Sequence, residues 1–157
     1  MLITKAQSSA LLITVLLALY ILECVFPYYD TFAHKTRHAA RNIGIIAFNA
    51  ILINLALMPL VILSTSGSWG LFAAWSPDWR VELVLTILLI DILTYIMHVL
   101  FHFNPFLWRF HRMHHSDTEM DATSGSRFHI GEHLISTCVR CGFYAVCAMK
   151  LECIIVY

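Results

Sequence analysis

The chain has 157 residues, a hydrophobic fraction of 59% and a formal net charge of +0. That length allows a single domain at most. A mean hydropathy of +0.73 is too apolar for an ordinary soluble domain, where apolar residues run nearer about 45–50%, and the balanced charge provides no bulk field for nucleic acid or an acidic partner. Cys24, Cys138, Cys141, Cys147 and Cys153 lie in or beside apolar segments and read as buried free thiols. Cys138-x-x-Cys141 has no second pair to complete a zinc site.

The first apolar run, 8–26, is long enough for a span of about 20 residues. It lacks a small-x-small cleavage site, so it reads as a retained anchor rather than a signal peptide. A polar loop, 27–41, follows and carries Lys35, Arg37 and Arg41, with His34 and His38 as solvated loop residues. A second span covers 42–63. Asn49 and Asn54 interrupt it and should face other helices, because an unpaired amide in lipid is costly. The loop 64–80 carries Trp69, Trp75 and Trp79, the pattern of an interfacial aromatic belt. A third span runs 81–103. The apolar segment 134–157 is a marginal fourth, because Arg140, Lys150 and Glu152 interrupt it; an interfacial or re-entrant segment is the alternative. The expected fold is all-α, a single integral membrane domain of three to four transmembrane helices. Lys and Arg concentrate in 27–41 and around the histidines, while 64–80 has only Arg80. The positive-inside rule therefore places the amino terminus outside and the histidine-rich region on the cytoplasmic side.

Seven of the nine histidines fall within 91–133. At about 100° per residue, Asp91, Tyr95, His98 and His102 share an arc of roughly 60° on the third span. Asp91 near mid-span would cost about 2.5–3.5 kcal/mol facing lipid, so it should face a protein interior. A helix-packing Asp hydrogen-bonded to a neighbour is the plain alternative. The i, i+4 pair His98 and His102 has the spacing that brings two imidazoles to one metal. Asn104-Pro105 then ends one helix and starts another. On this new helix His111, His114 and His115 span about 100°, beside an apolar sector and a cationic one. After a polar loop, 117–126, Arg127-Phe128-His129 is followed by Glu132 and His133. His129 is a candidate ligand and His133 a less certain one, and Glu132 has the usual role of a carboxylate that orients a ligand imidazole. Such a set suits Zn, Cu, Fe or Ni, and spacing alone does not choose. Seven imidazoles exceed the needs of one ion, so two metals are expected.

H-x-x-x-H at 98–102, L-W-R-F-H-R-M-H-H-S at 107–116 and R-F-H-x-x-E at 127–132, with the upstream Asp91-x-x-x-Tyr95-x-x-His98, resemble the fatty acid hydroxylase superfamily, also called the sterol desaturase family. The resemblance implies a membrane non-haem di-iron oxygenase that uses O2 and electrons from an external cytochrome or ferredoxin-type carrier to hydroxylate or desaturate a fatty acyl or sterol-like lipid. Zinc is the substitute ion for such a ligand set. His98, His102, His111, His114, His115 and His129 match family ligand positions, and His133 does not. Asp91, Tyr95, Arg127 and Glu132 are expected to support the ligands from behind. The family has a further histidine cluster downstream, so the sequence reads as truncated at its carboxy terminus. A non-catalytic metal- or lipid-binding remnant and a membrane metal transporter are the alternatives. A transporter should spread its ionisable groups along a crossing path, whereas here they gather at one end.

Overall fold

The computed structural model describes residues 5–26, 32–118 and 120–157. Among the described residues there are helices and turns and no strands. Helix α1 is Lys5–Val25. Helix α2, Phe32–Leu52, continues through a π-helical turn, Ile53–Leu57, into α3, Met58–Ser64. The short α4, Leu71–Trp75, leads to α5, Trp79–Phe103, and then α6, Pro105–His115. A 3-10 turn, Ser124–Ser126, precedes α7, Ile130–Cys147, and α8, Leu151–Val156.

Two stretches are long and apolar enough to cross a membrane, Lys35–Ser64 and Trp79–Phe103; α1 carries a shorter apolar run, Ile13–Val25. Their outward faces are apolar, with Leu55 74% and Leu63 70% exposed. In a water-soluble protein surfaces of that kind are normally covered. The expected fourth span is two helices rather than one. Ala148 adopts a left-handed conformation (φ 53°) between α7 and α8. Lys150 Nζ then bonds the buried Glu82 Oε2 on α5 at 2.6 Å, and Arg140 Nη2 donates to Thr94 Oγ1 at 3.3 Å. The charges that made this segment a poor span are thus used to fasten it to α5.

The polar loop expected over 27–41 is helical from Phe32 onward. The residues 27–31 lie outside the described ones, as does the His34 side chain. The helix extends because its buried face has partners. His38 Nε2 meets Asp117 Oδ1 at 2.7 Å, His38 Nδ1 meets Asp121 Oδ2 at 3.2 Å, and Asn42 Nδ2 donates to Thr123 Oγ1 at 2.9 Å. His38 is therefore not a solvated loop residue. Asn49, 3% exposed, donates to the Phe128 carbonyl at 2.8 Å. Its partner is the segment before α7, not another helix. Asn54 instead bonds back to the Ala50 carbonyl of its own helix.

The apolar core lies where α4, α5, α7 and α8 meet, built on Phe72, Ile90, Tyr144, Cys147 and Met149. Gly70 (φ 150°) closes this end: a Cβ there would stand 2.7 Å from the Val146 carbonyl oxygen, so only glycine fits. Cys141, Cys147 and Cys153 are buried thiols as expected, whereas Cys138 is exposed; all are free.

Candidate metal centre

The centre is made by an elbow. Asn104 ends α5, its N–H bonding the Leu100 carbonyl at 2.9 Å. The same residue caps α6, its Oδ1 accepting from the N–H groups of Phe106 at 2.9 Å and Leu107 at 3.2 Å. Pro105 takes the first helical position, where its missing N–H costs nothing. The chain turns within one residue, and α6 folds back on the end of α5. The His98 and His102 rings consequently lie 4.7 and 4.8 Å from the His111 ring.

His98, His102, His111 and His115 each offer one ring nitrogen, and the four atoms lie within 4.8 Å of one another. Two pairs are closer. His102 Nε2 is 3.2 Å from His98 Nε2, and His115 Nε2 is 3.2 Å from His111 Nε2. With metal–nitrogen bonds of about 2.0–2.1 Å, the nitrogens of a tetrahedral site are separated by roughly 3.3 Å, which the two short pairs match. Converging ring nitrogens present lone pairs to each other unless a proton or a cation lies between them. The donor set therefore fits a first-row divalent ion such as iron or zinc.

His111 is the buried anchor, 0% exposed. Its Nδ1 lies 2.9 Å from Glu132 Oε1. With the proton on Nδ1 donated to that oxygen, the Nε2 lone pair is left facing the other rings. Burial, reinforced by the His115 and His102 rings, pushes His111 down to about 4. Burial also pushes Glu132 up to about 7, against the pull of His129 and His102. Both shifts oppose charge, so His111 is a neutral imidazole at pH 7, the form that ligates. The other three rings are exposed. Trp108 packs against two of them, its centroid 5.4 Å from His102 and 5.7 Å from His115.

The remaining candidates are not at this focus. His114 is stacked on Phe128 at 4.6 Å, and its Nδ1 is buried with no partner among the described residues. Burial, with His115 and His111 beside it, lowers its proton affinity. His129 caps α7: the Gly131 N–H donates to its Nδ1 at 2.9 Å. Once Nδ1 accepts, the proton of a neutral ring sits on Nε2, and neither nitrogen has a lone pair for a metal. Gly131 permits close packing there, since a Cβ would stand 2.6 Å from the Phe110 ring. His133 is half-buried and meets the edge of Phe128 at 5.7 Å.

The expected supporting residues divide in two. Glu132 reaches a candidate ligand. Arg127 does not; its Nη1 pairs with Asp117 Oδ2 at 3.3 Å. Asp91 is exposed rather than turned into the protein, and so is Tyr95, at 69%. Neither has a hydrogen-bond partner among the described residues. The helical-wheel argument placed both on one stripe with His98 and His102, and the stripe exists. Its outer part faces away from the packed elements because α6 covers only the end of α5. What sequence reasoning missed is the His38–Asp117–Asp121 cluster, whose partners are some eighty residues apart and show no local spacing.

Residues 83–157 match the family model described as fatty acid hydroxylase. No curated protein and no solved structure matches the chain.

Proposed function

We propose, from the match of residues 83–157 to the fatty acid hydroxylase family model, that this protein is a membrane-bound, non-haem iron oxygenase acting on a C–H bond of a lipid. One observation carries the reading: four imidazoles from two successive histidine boxes converge at the end of an apolar helix, within the matched segment. Iron bound there would supply O2 reduction and hydrogen abstraction. Hydroxylation consumes O2, two electrons and two protons, and converts R–H to R–OH with one water. Desaturation uses the same inputs and releases two waters. The electrons would come from an external carrier of the cytochrome or ferredoxin type.

The chain's own residues would act as follows. Glu132 holds the His111 ring by its Nδ1–H and so presents Nε2. Trp108 packs against the outer rings and limits their motion. His98, His102 and His115 stay exposed at the end of the Trp79–Phe103 helix, open to a chain lying at bilayer depth. For a di-iron site, the second ion would draw on His114, with His133, and with His129 only after it releases its cap. Asp91 and Tyr95 would line the approach along the exposed face of α5. The loop charges argue for a multi-pass topology with the centre on the cytoplasmic side.

The test uses the full chain in lipid nanodiscs. His98→Ala, His102→Ala, His111→Ala and His115→Ala should each lower bound iron severalfold, and each should abolish oxidation of a lipid panel supplied with O2 and a reductant, read by mass spectrometry. His34→Ala should do neither. Full iron retention in all four variants would sink the reading.

A further inference from the structure

A second site lies between α2 and Arg127, the residue after the 3-10 turn. A cavity of about 500 Å³ opens there. Arg41 and Arg127 line it with His38 and Asn42, and among the described residues no carboxylate does; its remaining wall is Gly44, Ile45 and Phe48. A neighbouring cleft of about 290 Å³ shares Arg41 and Arg127 and adds Arg37, with Asp117 as its one carboxylate among the described residues.

Arg37 and Arg41 are exposed one helical turn apart, and neither makes an ion pair among the described residues. Arg127 Nη1 pairs with Asp117 Oδ2 at 3.3 Å, and its buried Nε has no hydrogen-bond partner among the described residues. Asp117 and Asp121 are bound by His38, Thr123 and Ser124. The exposed Arg41 and the partly committed Arg127 therefore line one cavity, and Arg37 stands beside it. Guanidinium forks match the oxygens of a phosphate or carboxylate.

The cavity is also graded along α2. Arg37 and Arg41 lie in the first turns of the candidate span Lys35–Ser64, where a helix meets the membrane surface. Gly44, Ile45 and Phe48 follow one and two turns deeper. A Cβ added at Gly44 would meet nothing within 4 Å, so this part of the cavity wall is open. We propose that this cavity binds an anionic amphiphile, its head group held by Arg41 and Arg127 and its apolar tail lying along Gly44, Ile45 and Phe48. A concave site with a charged mouth and an apolar floor suits a lipid better than the flat face of an acidic protein.

The experiment uses the full chain in phosphatidylcholine nanodiscs doped with dioleoyl phosphatidate, with lipid retention read by native mass spectrometry. Phosphatidate should be retained at least tenfold over phosphatidylcholine. The double variant Arg37→Ala, Arg41→Ala should lose that preference, and the Lys, Lys double variant should keep most of it. Gly44→Phe, which fills the cavity and leaves every charge in place, should also lose it, while Gly44→Ala should not. Helical circular dichroism checks that each variant is folded. Equal retention of both lipids by the parent chain would overturn the proposal. So would indifference to Gly44→Phe, or displacement of phosphatidate by inorganic phosphate at the same concentration, since either means the tail is not recognised. Capture of an acidic soluble electron carrier through Arg41, without phosphatidate retention, would overturn it in favour of a protein partner.

Discussion

At the scale of single residues, the candidate centre depends on which nitrogen of each imidazole carries the proton. Glu132 decides this for His111, and Gly131 decides it for His129. Glu132→Ala should leave the buried Nδ1–H unsatisfied, at a cost of about 1–3 kcal/mol in stability. It should also weaken metal binding by about 10–100-fold. Glu132→Gln keeps an acceptor and should recover most of both. Calorimetric titration with zinc as the probe reads the affinity, and an Ala variant that binds as the parent does would show that the hydrogen bond does not set the tautomer. His129 is a cap where it stands. His129→Asn, with its short accepting side chain at the N-cap, should preserve α7 and keep the metal held by His98, His102, His111 and His115, whereas His129→Ala should cost about 1 kcal/mol. Thermal unfolding together with metal content separates the two roles: loss of metal in the Asn variant with stability intact would identify a ligand.

At the scale of elements, the α5–α6 elbow places the four imidazoles. Asn104 serves both helices through four short hydrogen bonds, its own carbonyl accepting from the Trp108 N–H at 2.9 Å as the fourth. Asn104→Ala should cost about 1 kcal/mol from the lost cap. Its larger effect should be on metal content, because α6 would no longer be held at the angle that brings the two boxes together. Asn104→Asp retains the cap and should retain the metal. Equal metal content in the Ala variant would mean that packing alone, through Phe101 and Trp108, holds the elbow.

On the scale of the whole molecule, His38 and Asn42 tie the start of the first candidate span to the loop that follows the His111 box. A bond of 2.7 Å between His38 and Asp117 requires both segments to lie at the same membrane surface. Cysteines introduced at Thr36 and Ser116 should therefore be labelled from the same side by an impermeant reagent in oriented vesicles. Labelling from opposite faces would contradict the tie and the topology with it.

The histidine boxes, the Asn-Pro elbow and the apolar periodicity of the long helices are local, and the sequence by itself determined them. Their signals are carried by residues within about one or two helical turns, where helix geometry fixes who can meet whom. The sequence also pointed to Glu132, because a carboxylate beside candidate ligands usually orients one of their rings, although only the structure shows that the ring is that of His111. Only the tertiary structure decided which imidazoles share a focus. It placed His98, His102, His111 and His115 together, gave His129 to a helix end, and set His114 against Phe128. It also decided that 32–41 is helix rather than loop, and that Asp91 and Tyr95 stay on an open face. These outcomes depend on partners far along the chain: the burial of His38 against Asp117, or the reach of α6 over only the end of α5, is a matter of packing that no local spacing encodes.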